Sequence, residues 1–93
     1  MAGARERNVT RALSILRSRH FKRLFRPDGE LSRDAEIVLA DLQDFCRGRT
    51  TVFSQDPAVM ARNAGRREVW LRLCHYLGLD EAETLKMMEV EHD

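Results

Sequence analysis

The sequence predicts an all-α fold, a small bundle of three main helices followed by a short C-terminal helix. Three observations carry this. Apolar residues recur at helical spacing in three long segments. Those segments are bounded by capping and stop residues, namely Pro27-Asp28-Gly29, Ser32, Gly48, Asp56-Pro57, Gly78 and Asp80. The β-branched stretch Arg49–Gln55 is a single candidate strand with nothing obvious to pair with.

Residues 1–8 lack apolar periodicity and are expected to form a flexible basic N-terminus. Val9, Leu13, Leu16, His20 and Leu24 then follow at spacings of four, three, four and four. That pattern predicts a helix over 9–25 with this row toward the core. Ile15, Phe21 and Phe25 widen the stripe, and arginines fill the remaining face.

Ser32 is a suitable N-cap, with Asp34 and Glu36 in the first turn to complement the helix dipole. Ala35, Val38, Leu39, Leu42, Phe45 and Cys46 continue with helical spacing, so a second helix is expected at 33–47. Gly48 fits its C-terminal cap. The connector Arg49–Gln55 reads as an ordered loop with Phe53 in the core.

Asp56-Pro57 combines an N-cap with proline at the first helical position. The third helix runs from there to a stop at Gly78, about 30 Å. Val69, Trp70, Leu71, Leu73, Cys74 and Leu77 cover more than half of its circumference near the end. A helix that apolar is central to the domain or also faces a partner. Gly65 lies inside it, where glycine is weaker than alanine by about 1 kcal/mol, and a close helix crossing is the expected reason. Asp80 opens the last helix and Glu83 completes a capping-box variant. Leu79, Ala82, Leu85 and Met88 form its expected apolar stripe. The domain spans 9–90, and 91–93 form an acidic tail.

A chain of 93 residues makes one domain with a modest core. It has no apolar stretch of 18 residues, so no membrane span is expected, and no apolar segment after the N-terminal arginines to suggest a secretory signal. Cys46 and Cys74 lie in apolar helical stretches and read as reduced core thiols rather than a disulfide or metal site. The net charge of +1 hides a gradient: +7 over residues 1–26, −1 over 27–78 and −5 over 79–93. Such a chain can bind an anionic partner at one end or pair head to tail with its own copies.

Catalysis finds little support. His20, His75 and His92 fall on different elements, and no nucleophile elbow, phosphate-cradling glycine loop or zinc-protease motif is present. Asp41 and Asp44 share a helix face but read as a solvated acidic surface. The chain is therefore expected not to be an enzyme, and no cofactor, metal or small-molecule substrate is implied. Arg11, Arg17, Arg19, Lys22, Arg23 and Arg26 on the first helix are candidates for non-specific contact with nucleic-acid phosphates. Sequence-specific reading by the second helix is disfavoured by its four acids. Arg66, Arg67, Trp70 and Arg72 match the composition of protein-contact hot spots. Trp70 is equally suited to be the largest core residue, Glu68 could pair with Arg72, and Arg66 and Arg67 could bridge to the acidic second helix.

Several of these segments together carry a resemblance. His20-Phe21-Lys22-Arg23-Leu24-Phe25, Val38-Leu39-Ala40-Asp41-Leu42-Gln43-Asp44-Phe45-Cys46-Arg47, Thr50-Thr51-Val52-Phe53, Asp56-Pro57 and Gly65-Arg66-Arg67-Glu68-Val69-Trp70-Leu71-Arg72 occur in this order. The chain, over about residues 20–78, resembles a family of small tailed-bacteriophage proteins first described in a Bordetella phage. The resemblance implies a product of the phage structural and packaging gene region and supplies no catalytic residues. The expected function is a non-enzymatic structural or assembly protein acting through protein contacts, near the portal or capsid interior. Its partners would be other phage structural proteins or its own copies, in the virion or the host bacterial cytoplasm. The alternative is a nucleic-acid-binding accessory of genome packaging that uses the basic first helix. A small modifier of a host enzyme is a third reading, with nothing in the sequence for or against it.

Overall fold

The computed structural model describes residues 3–90. Four helices follow in order: α1 (Gly3–Phe25), α2 (Arg33–Phe45), α3 (Pro57–Leu77) and α4 (Glu81–Met87). There is no strand among the described residues. The expected acidic tail, 91–93, lies outside them. α1 begins at Gly3, six residues before the start expected at Val9.

Local chemistry explains most boundaries. The Ser32 hydroxyl accepts from the Ala35 amide at 3.1 Å, and the Asp56 carboxylate accepts from the Ala58 amide at 2.9 Å with Pro57 behind it. Asp80 and Glu83 form a reciprocal capping box: the Glu83 amide donates to Asp80 Oδ1 at 2.7 Å, and the Asp80 amide to Glu83 Oε1 at 3.3 Å. Gly78 ends α3 in the left-handed region, φ 63°.

The end of α2 departs from expectation. The helix stops at Phe45, with Cys46 as its cap. The left-handed residue is Arg47, φ 56°, not Gly48. The Arg47 amide donates to the Asp44 carbonyl at 3.2 Å and the Gly48 amide to the Gln43 carbonyl at 2.8 Å, a Schellman closure. The Arg47 guanidinium then donates twice to the Thr51 carbonyl, at 2.9 and 2.7 Å. Gly48 serves packing instead: a Cβ there would stand 2.6 Å from Trp70 Cδ1 and Nε1.

The core gathers Leu39, Ala40, Cys46, Trp70, Leu77 and Met87, with Phe21, Phe25, Leu31, Leu42 and Leu73 packed around it. α3 packs on α1 and on α2, while α4 lies on α2, held there by Gln43 Nε2 donating to the Thr84 carbonyl at 3.0 Å. Buried Asn63 ties the connector to α3 by donating to the Val52 carbonyl at 3.3 Å. Three packing expectations fail. Phe53 is 66% exposed, in a loop where its amide donates to the Thr51 hydroxyl at 3.1 Å. In α4 the buried methionine is Met87, not Met88, and Leu85 faces out. Gly65 meets nothing within 4 Å, so no helix crosses there.

The assembly is thin, with extents of 47 × 41 × 18 Å. Its radius of gyration is 15.6 Å, against about 12 Å for a compact chain of this length. Its accessible surface is 7098 Å², against about 5,500 Å² for a compact monomer of this mass. The fold therefore leaves apolar surface uncovered.

Candidate functional site

α1 presents three rows of side chains, each at helical spacing, and their fates differ. Ser14, Ser18, Phe21 and Phe25 are half-buried against the body. Ser14 Oγ lies 3.3 Å from His75 Nε2, the Ser18 hydroxyl donates to the Tyr76 carbonyl at 2.7 Å, and the Phe21 ring stacks on Tyr76 with centroids 4.9 Å apart. This row is the true inner face. Small hydroxyl residues sit where α1 and α3 approach, and aromatic rings fill the wider gap beyond.

The row expected to face the core, Val9, Leu13, Leu16, His20 and Leu24, instead points to solvent. Val9 is 55% exposed, Leu13 44%, Leu16 49% and Leu24 75%. Residues 8–13 are all exposed, so this stretch of α1 stands clear of the body. A helix without tertiary contacts is marginal in water at that length. Val69 and Leu71 on α3 are also about half exposed.

The third row is Arg11, Ile15, Arg19 and Lys22, and its last three members lie beside the seam between α1 and α3. Ile15, Arg19 and Lys22 join Ser14, Ser18 and His75 in lining an open cleft of about 420 Å³. Lys22 also reaches the end of α3, with Nζ 3.9 Å from the position a Cβ on Gly78 would take. A cation there complements the helix dipole.

The six basic residues named from the sequence are thus divided. Arg19 and Lys22 line the cleft, and Arg11 lies on the same row beyond it. Arg17 and Arg23 are exposed on either side of the outward apolar row. Arg26 is committed inside the chain: it pairs with Glu83, and both side chains are largely covered. That pair joins the end of α1 to the capping box of α4. Arg26 is therefore unavailable to a phosphate, contrary to the sequence expectation.

The Arg66–Arg72 run is also mostly used internally. Trp70 is 3% exposed and belongs to the core, so it cannot anchor a partner. Arg66 Cζ lies 4.4 Å above the Phe45 ring centre, and Arg67 Nη1 donates to the Thr50 carbonyl at 3.1 Å and the Arg47 carbonyl at 3.4 Å. Both arginines hold α3 to the end of α2, through an aromatic face and backbone carbonyls rather than the acids expected. Arg72 lies over the Tyr76 ring at 5.1 Å, and no Glu68–Arg72 ion pair forms among the described residues.

Cys46 is buried and Cys74 half-buried, and both are free thiols. Burial pushes both above the ordinary thiol value; at Cys46 nearby Arg66 opposes that rise and Asp41 adds to it. No group of His, Cys, Asp or Glu suited to a metal ion occurs among the described residues, and no helix is long and apolar enough to cross a membrane. Sequence reasoning missed Ser14, Ser18 and His75. The 4-3-4 spacing of Ser14, Ser18, Phe21 and Phe25 was the available signal, but two hydroxyls do not register as a core face.

A family model described as Bbp19-like phage protein matches residues 21–89. No curated protein and no solved structure matches the chain.

Proposed function

Because the chain belongs to the Bbp19-like phage proteins, we propose that it is a non-enzymatic structural or assembly component that works through protein contacts. One observation carries this reading: the outward row Val9, Leu13, Leu16 and Leu24 on a helix that partly stands free of the body. Monomeric soluble proteins seldom leave such a row open, and contiguous exposed apolar surface marks a contact site. The excess accessible surface over a compact monomer is about twice one partner's share of a standard interface.

On this reading Arg17 and Arg23 form a polar rim, and the occupant is an own copy or another phage structural protein. Its place is the virion, near the portal or capsid interior, or the host bacterial cytoplasm during assembly. Arg66 and Arg67 contribute by stiffening the α2–α3 junction rather than by touching the partner. The reaction-free role needs no cofactor and no small-molecule substrate.

The test is analytical ultracentrifugation of the purified protein, with mass spectrometry of virions. A discrete oligomer, or a stoichiometric complex with a virion protein, is expected, and Leu13→Glu with Leu16→Glu should abolish it while the chain stays folded. A monomer that is also absent from virions would overturn the proposal.

A further inference from the structure

The geometry points to a second site on a different face of α1: the cleft between α1 and α3 binds the phosphodiester backbone of a nucleic acid through Arg19 and Lys22, and Arg11, on the same row beyond the cleft, extends the line of cations. It does not rest on the protein-contact reading, since the outward apolar row lies on another side of the helix. Arg11, Arg19 and Lys22 follow at spacings of eight and three, which puts them on one line along about 16 Å of helix. All three are exposed, and none forms an ion pair among the described residues.

The cleft walls are chemically consistent with phosphate. Ser14, Ser18 and His75 form the polar floor, already hydrogen-bonded to the Tyr76 carbonyl and to each other, so Arg19 and Lys22 are the groups that meet phosphate. No carboxylate lines it. The end of α3 nearby carries the negative pole of that helix, which Lys22 offsets, and its last carbonyls are already hydrogen-bonded. The Gly78 amide donates to the His75 carbonyl at 3.4 Å, and the Leu79 amide to the Cys74 carbonyl at 3.1 Å. An open cleft suits a backbone lying along it, where guanidinium and ammonium groups meet successive phosphates without reading bases.

The proposal separates two sets of cations that the sequence alone treats as equal. Arg19 and Lys22 belong to the cleft; Arg17 and Arg23 do not. The test is fluorescence anisotropy with a 20-bp duplex and a 20-nucleotide single strand between 50 and 200 mM salt, sizes and salts chosen to span about a tenfold range in affinity per pair of contacts. Arg19→Ala with Lys22→Ala should weaken binding about tenfold or more at low salt and flatten the salt slope by about 1.8. Arg17→Ala with Arg23→Ala removes the same charge and should change affinity less than about threefold, since those groups make no phosphate contact. All four side chains are exposed, so circular dichroism should be unchanged in both variants.

Inorganic phosphate is the second arm, titrated against the unaltered protein by NMR. Shifts confined to the Ser14, Ser18, Arg19, Lys22 and His75 signals, with competition against the duplex, support the site. Equal losses in the two double variants overturn it, because diffuse charge would then suffice. No binding of either nucleic acid at 50 mM salt overturns it as well, even where free phosphate binds.

Discussion

Gly48 lies directly under the indole of Trp70, so close that a Cβ would stand 2.6 Å from two ring atoms. The sidewall of the largest core residue is therefore backbone. Gly48→Ala must push the ring or the turn, and a destabilisation of about 1–3 kcal/mol is expected. Gly65, in the middle of α3, meets nothing. Gly65→Ala should stabilise by about 0.5–1 kcal/mol, because alanine loses less backbone freedom in a helix. Urea denaturation of the two variants should give opposite signs.

Glu83 has two duties, one in the α4 capping box and one toward Arg26. Glu83→Gln keeps an acceptor for the Asp80 amide but removes the charge facing Arg26. Arg26 Nε is already buried without a partner, so the guanidinium depends on that carboxylate. A loss of about 1.5–3 kcal/mol is expected, the range for hydrogen bonds to charged groups. Glu83→Ala loses both duties and should cost more, as read by thermal unfolding.

Hydrogen exchange should divide α1 in two. Amides of residues 8–13 are expected to exchange fast in the free protein, since those residues make no covering contact. Amides around Phe21 and Phe25 should be slow. Protection of the 8–13 stretch on assembly is the expected signature of a docked α1. Unchanged exchange on assembly would mean that the contact lies elsewhere.

The thiols should be quiet. Burial raises both above the ordinary value of 9.0, and the thiolate is the reactive form. Iodoacetamide at pH 8 is expected to label neither quickly until denaturant is added, with Cys46 the slower. The sign for stability follows from linkage. The unfolded chain ionises first as pH rises, while the folded one keeps its protons. The thiol contribution is thus complete below the ordinary value and is lost progressively above it. Denaturation midpoints should fall between pH 8 and 10 and fall less in Cys46→Ala.

The sequence by itself determined the helices, because their starts and stops are local chemistry. Ser32, Asp56-Pro57 and Asp80 with Glu83 act within a few residues of themselves, and the structure keeps each. It also determined the phage family, whose matched region begins near His20. Tertiary structure alone decided which face of α1 is inside. Apolar periodicity marks a stripe without saying what covers it, and here the row with more leucine is left outside. Ser14 and Ser18 are inside because α3 approaches there, near enough for Ser18 to bond the Tyr76 backbone. The same limit hid the two glycines: Gly65 looked like a crossing and Gly48 like a cap. Only the position of Trp70, brought from the next helix, shows that Gly48 is where close approach occurs. The arginines follow suit, since charge can be counted along a chain, but whether a guanidinium meets Glu83, Phe45 or water depends on neighbours distant in sequence.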